Sequence, residues 1–368
     1  MIDSYAERMA TVLTNYSIPI QKNDLVVING SIDSAPLIDA LQTAVLKRGG
    51  HPHIDVGLPN STEILLANGN DEQLAYSDPI SMTAVEKMDV IFRIYSPTNT
   101  RGLSSVPSEK LAVVQEGNRK WAEVYRRRRE AEEIRWCVAP WPTMALAQEA
   151  EMGLYAYRQF VYEACGLDQD DPVAYWQQFR DRQTGYVNWL KGKNHVVVKG
   201  PGIDLELDIT DRTWISAHGE VNFPDGEIFT GPVENSVNGV VEFNYPTVYN
   251  AQEVNGVRLE FKDGKVVKAS AKKGEDYLQK QLDMDDGARF LGEFAIGTNT
   301  GIQQFTRNTL FDEKIGGTIH MALGQSYAET GGKNKSLVHW DMVHGMTDGG
   351  EIKVDGEVIY RNGDFVIS

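Results

Sequence analysis

The hydrophobic rhythm of the chain changes once, after Gly192-Lys193-Asn194, and that change limits the folds open to it. Before it, short apolar runs stand a helix length apart. Asp24-Leu25-Val26-Val27-Ile28-Asn29-Gly30 has the pattern of a buried parallel strand that ends at a turn signal. Residues 34–48 follow as a helix, with Pro36 tolerated in the first turn and Gly49-Gly50 stopping it. Residues 53–56, 89–95 and 134–140 read as three further strands. Residues 4–16 open the chain as a helix, with Tyr5, Met9, Val12, Leu13 and Tyr16 on one face. Residues 148–165 read as one helix, and Asp171-Pro172 starts another that runs to Trp189. Strand, helix and strand at this spacing predict a parallel sheet with crossover helices.

After Asn194 the period becomes two. Residues 195–209 hold two strands around Gly200-Pro201-Gly202, and the second alternates Ile and Leu with Asp and Glu, so one face is buried. Residues 239–243, 257–261 and 265–269 continue the style, the last two joined by a hairpin at Asp263-Gly264. A helix is expected over 274–284 and a last hairpin at Asp355-Gly356. The expected fold is an α/β N-terminal domain with a parallel sheet, residues 1–190, shaping a substrate cavity. An α+β, mainly antiparallel C-terminal domain, residues 191–368, carries the chemistry. A chain of 368 residues is long enough for two cores.

Acidic residues outnumber basic ones by 52 to 36, a formal charge of −16, which argues against a nucleic-acid partner. The one basic run, Arg126 to Arg129, is followed by Glu130, Glu132 and Glu133 and reads as a solvated helix. Cys137 and Cys165 are too few for a disulfide framework and read as buried free thiols. The N-terminus lacks the basic and apolar regions of a signal peptide, and no run reaches the ~18–20 apolar residues of a membrane span. A cytoplasmic location without membrane attachment is therefore expected. Ile28-Asn29-Gly30-Ser31-Ile32-Asp33 is not a dinucleotide fingerprint, and no phosphate loop exists. The loop Tyr95-Ser96-Pro97-Thr98-Asn99, at the end of a strand, is a candidate to face a substrate.

The candidate chemistry lies in residues 292–341, with one contribution from upstream. Glu227 sits in a Pro224-Asp225-Gly226-Glu227 turn, where an acidic residue also serves solubility. Glu293 stands inside an apolar run, which is costly for a carboxylate unless it is paired, for example with Arg289, or binds a cation. His320, in Thr318-Ile319-His320-Met321-Ala322, has the plainer reading of a core histidine. Tyr327 has the plainer reading of a core residue, its alternative being a hydroxyl within reach of a metal or an oxyanion. His339 and Asp341, at i and i+2, project to one face of a strand, an arrangement that seats a divalent ion. His344 is out of phase with them and is expected to face solvent or to support the site. Two Glu, two His and one Asp are together the ligand types of a pair of divalent ions that activates a water. A nitrogen and oxygen donor set suits Zn, Co or Mn. Glu313 is a candidate general base, its alternative being an ion pair with Lys314 or Arg289.

Four pieces carry a family resemblance. They are Asn222-Phe223-Pro224-Asp225-Gly226-Glu227-Ile228-Phe229-Thr230, Gly292-Glu293-Phe294-Ala295, residues 310–324 and Ser336-Leu337-Val338-His339-Trp340-Asp341. In these the chain resembles the M29 metallo-aminopeptidases, the thermophilic aminopeptidase group. The resemblance covers the second domain well and the first more loosely, through residues 136–143. It implies two divalent metals held by Glu227, Glu293, His320, His339 and Asp341, with Tyr327 assisting. It also implies a cytoplasmic homodimer, weakly selective for metal, that removes N-terminal residues from peptides. Family members are usually longer, and the segment between His320 and His339 is short here, which bears on access to the cavity. Two other readings compete. One is a mononuclear non-haem iron, ring-cleaving dioxygenase on a related scaffold, using His320, His339 and Asp341. The other is a non-catalytic metal-binding protein.

Overall fold

A computed structural model describes residues 4–250 and 252–367. The chain forms two compact units, one of Met1–Ala174 with Gly219–Phe223, the other of Tyr175–His218 with Pro224–Ser368. The expected boundary near residue 190 falls at the end of the helix Pro172–Leu190. Most of that helix is built into the second unit: Trp176 and Phe179 are buried, and Gln183 hydrogen-bonds Thr298 and Ser216.

In the first unit, β1 (Leu25–Ser31), β2 (His51–Gly57), β3 (Val90–Tyr95) and β4 (Arg135–Pro140) form a parallel sheet in the order β2-β1-β3-β4. Val26, Ile28, Val90, Phe92 and Ile94 are buried along the two central strands, as the apolar runs require. The loop after β3 lines a cavity of about 430 Å³ at the carboxyl ends of these strands. The opening helix stops at Val12 and widens into a π-turn over Leu13–Ser17, closed by Ile18 N–H to Leu13 O. The helix expected over 148–165 is two, Met144–Glu149 and Leu154–Ala164. Glu151 takes a left-handed φ of 56°, which an α-helix cannot propagate through, and Gly153 begins the second helix from an extended backbone. The basic run ends the helix Ser108–Glu130 but is not all solvated. Arg128 donates to the carbonyls of Val85 and Met88, and Arg129 lies 4.6 Å from the centre of the Trp136 ring. Both cysteines are buried free thiols. Among the described residues, no helix is long and apolar enough to cross a membrane.

The second unit is mainly antiparallel. Its strands begin with β5 (His195–Gly200), β6 (Ile203–Asp208), β7 (Ile215–Ala217), β8 (Glu227–Thr230) and β9 (Asn238–Glu242). They continue with β10 (Thr247–Tyr249), β11 (Gln252–Val254), β12 (Arg258–Lys262), β13 (Lys265–Ser270) and β14 (Leu291–Gly297). The last are β15 (Thr318–Gly324), β16 (His339–Gly345), β17 (Glu351–Val354), β18 (Glu357–Arg361) and β19 (Asp364–Phe365). Asp355-Gly356 makes the β17–β18 hairpin, and a further tight turn at Asn362-Gly363 adds β19.

An eight-stranded sheet, β13-β12-β9-β6-β5-β17-β18-β19, packs on a five-stranded one, β16-β15-β14-β8-β7. Val196, Leu205, Val241 and Leu259 from the first meet Phe294, Ile319, Met321 and Trp340 from the second in one apolar core. Each such side chain contributes about 1.5–3 kcal/mol on full burial. The helix Glu275–Leu282 adds Leu278 and Leu282 to this core.

Candidate metal centre

The face of the five-stranded sheet away from this core carries the candidate residues. On β14, Leu291, Phe294 and Ile296 join the core, and Glu293 lies on the other side. Plain alternation would put Leu291 and Glu293 on the same face. A β-bulge at Gly292 reverses the phase: the register passes from Leu291 opposite Leu323 to Glu293 opposite Ala322. Gly324 and Gln325 carbonyl oxygens stand where a Cβ of residue 292 would be, so only glycine fits. Across the ladder Ala295 pairs with Phe229 and His320, while Ala322 pairs with Glu293 and Asp341. These alanines give a low floor over which the longer side chains converge.

Two overlapping groups result, Glu227–Glu293–His320 and Glu293–His339–Asp341. Glu293 belongs to both. Its Oε1 lies 3.5 Å from His320 Nε2 and its Oε2 lies 3.4 Å from His339 Nε2. Glu227 Oε2 is 3.2 Å from His320 Nε2, and Asp341 Oδ2 is 3.6 Å from His339 Nε2. The remaining ring nitrogens are spoken for: His320 Nδ1 is 3.0 Å from Glu313 O and His339 Nδ1 is 2.9 Å from Gln325 O. A carbonyl can only accept, so each Nδ1 donates, which leaves each Nε2, turned toward carboxylate oxygens, to hold either a proton or a cation. Glu227 Oε2 and Asp341 Oδ1 are buried and accept no hydrogen bond. Ring nitrogens facing carboxylates, with orphaned acceptors beside them, fit divalent cations between them. Carbonyl acceptors on the far nitrogens are the usual support of a metal-binding histidine.

The electrostatics agree. Burial pushes the Glu227 carboxyl up to about 8, against the pull of Lys314 and His320. Burial and then the charge of Glu313 raise Asp341 to about 7. Burial opposes a charged His320, but Glu227 and Glu293 more than reverse this and raise it to about 10. Acids that resist ionising beside a base that holds its proton mark a pocket short of positive charge. Glu313 differs: Lys314 and His320 outweigh its burial and hold it below its ordinary value.

Glu313, His339 and Asp341 line a cavity of about 310 Å³, walled also by Tyr249, Phe305 and Arg307. Tyr327 stands over His339 with ring centres 5.2 Å apart and also packs on Phe229. Burial, then Glu293 and Asp341, hold its phenol well above the ordinary range. The structure thus gathers all seven residues singled out in the sequence around one sheet face. It does not bring in His344, which is 1% exposed, on the core face of β16, with Nδ1 bound to Glu242 O. The out-of-phase reading of His344 holds, but the opposite face is the inter-sheet core and not solvent. Arg289 pairs with Asp283 and with neither Glu293 nor Glu313. Lys314 joins Glu313, as one alternative had it, and also reaches Glu227, a contact that sequence adjacency does not signal.

The profile of the family described as Thermophilic metalloprotease (M29) matches residues 2–365. The chain belongs to the M29 peptidase family. As an M29 chain it is a hydrolase of a metal-dependent class. Aminopeptidase 2 of Geobacillus stearothermophilus is 28% identical over 414 residues, covering 99% of this chain and 97% of that protein. Aminopeptidase T of Thermus thermophilus is 31% identical over 306 residues, 73% of this chain and 72% of the relative. Among solved structures, wild-type AmpT from Thermus thermophilus matches with a TM-score of 0.84 at 24% identity, over 99% of each chain. A 2,5-dihydroxypyridine dioxygenase from Pseudomonas putida matches with 0.61 at 14% identity, over 100% of this chain and 98% of that one. At these identities the two structures speak for the fold: a parallel N-terminal sheet followed by mainly antiparallel sheets.

Proposed function

We propose that this M29 chain is an aminopeptidase that works with two divalent ions, one at each of the overlapping groups. The observation that carries this reading is Glu293, whose two oxygens each face a different histidine. The curated relatives named as aminopeptidases support the substrate class. Bound there, the ions supply Lewis-acid polarisation and a water that ionises near neutral pH. Zn, Co and Mn suit the mixed donor set.

The chain's own residues do the rest. Glu227 and His320 hold the enclosed half, His339 and Asp341 the half that opens to the cavity, and Glu293 spans both. Glu313, kept ionised, accepts the proton of the attacking water. The Tyr327 hydroxyl, kept protonated, donates to the oxyanion that forms at the scissile carbonyl. The excess of carboxylates attracts the cationic amino group of a peptide's first residue. A homodimer and a cytoplasmic location belong to this reading on the family resemblance. The single-iron dioxygenase reading needs His320 and His339 on one ion; their place in separate groups supports two ions.

The test is metal content by elemental analysis together with hydrolysis of dipeptides with free and acetylated N-termini. Two ions per chain and cleavage confined to the free amine are expected. One ion per chain, or equal cleavage of the acetylated peptide, would remove the proposal.

A further inference from the structure

Lys314 is 1% exposed, and its ammonium lies 2.9 Å from Glu313 Oε2 and 3.4 Å from Glu227 Oε1. Its backbone is fixed on both sides, with N–H to Phe311 O and its carbonyl accepting from Asn299 N–H. A lysine this deep is expensive and persists only against partners of opposite charge. Those partners show what it does. Glu293 turns one oxygen to each histidine, whereas Glu227 turns Oε1 to the ammonium and only Oε2 to His320. The two glutamates therefore differ in how many oxygens they can give, and the ammonium accounts for the difference. A compact point charge with three donors can hold one oxygen of each of two carboxylates; the broad fork of an arginine tends to take both oxygens of one.

We propose that Lys314 is a positioning residue that restricts Glu227 to one donor oxygen and, with the same ammonium, fixes the Glu313 carboxylate beside the two groups. The inference rests on the two-ion reading and is tested separately from it. Wild-type protein, Lys314→Met and the double variant Lys314→Met/Glu313→Gln are stripped and titrated with Co²⁺. The double variant removes one buried charge of each sign and carries the test if the single variant does not fold. The readouts are equivalents bound, the intensity of the Co²⁺ visible bands, and kcat and KM. Those bands weaken as an added oxygen raises the coordination number.

Both variants are expected to bind two equivalents with weaker bands, as Glu227 chelates through both oxygens. In Lys314→Met, kcat falls ~10–100-fold, the range for groups that support metal ligands, with KM little changed. Wild-type band intensity in the variants overturns the proposal and leaves Lys314 a passive counter-ion. So does loss of one equivalent with no change in the bands of the other, because Lys314 would then retain Glu227 rather than restrict it. A wild-type protein that binds one equivalent defeats the two-ion reading instead.

Discussion

Glu227, Glu293 and His320 keep 8%, 5% and 1% of their side chains exposed, whereas His339 and Asp341 keep 25% and 15%. The first group sits against a buried ammonium; the second borders a cavity. A closed shell suits an ion that stays, and an open one suits an ion that meets substrate. In the proposed centre the contrast gives the two ions different work, with Glu293 as the joint between them.

Breaking the joint has the largest expected effect. Glu293→Gln removes charge from both groups at nearly constant shape, so metal content by elemental analysis should fall below two ions and turnover should drop beyond ~10²-fold. Unchanged metal content would refute the bridging role. The next test sets the halves against each other. His320→Ala leaves two carboxylates in a sealed pocket without their imidazole and should cost about 3–5 kcal/mol in metal-free protein by denaturant titration. His339→Ala, partly solvated, should cost well under half of that while raising the Co²⁺ concentration needed for activity. Equal losses of stability would erase the distinction. The smallest effect belongs to Tyr327→Phe, which leaves both groups intact and should lower kcat ~10²-fold with little change in KM. Wild-type kcat would remove the hydroxyl from the mechanism.

The open half was more legible in the sequence than the closed one. His339 and Asp341 announce themselves by period two on a single strand, a local rule. Glu227 and His320 meet only because β8 and β15 flank β14, and nothing local encodes that adjacency. Their legibility came from family resemblance instead. The strands of the first unit were readable as apolar runs, but the break at Glu151 was not, because a left-handed residue leaves the helical period on either side nearly intact. His344 shows the limit of parity. Alternation says which residues share a face, not whether that face meets water, and the face that holds His344 is covered by the eight-stranded sheet. Lys314 sits next to Glu313 in the sequence, yet its second partner lies 87 positions back, 314 less 227.

The bulge at Gly292 has a consequence for how this protein tolerates change. The carboxylate at 293 reaches the centre because the strand is one residue longer than its partner there, so its placement is a matter of counting rather than of chemistry. Drawing Gly292 into the ladder, so that position 292 pairs with Ala322 and the bulge is lost, would alter no charged group. It would nonetheless rotate Glu293 into the oily interior between the sheets and leave two histidines facing each other across a gap. Point substitutions on the outer strands leave this count intact. A side chain at 292, which would meet the carbonyls of Gly324 and Gln325 and disturb the bulge, is therefore the lesion that mutational drift can least absorb.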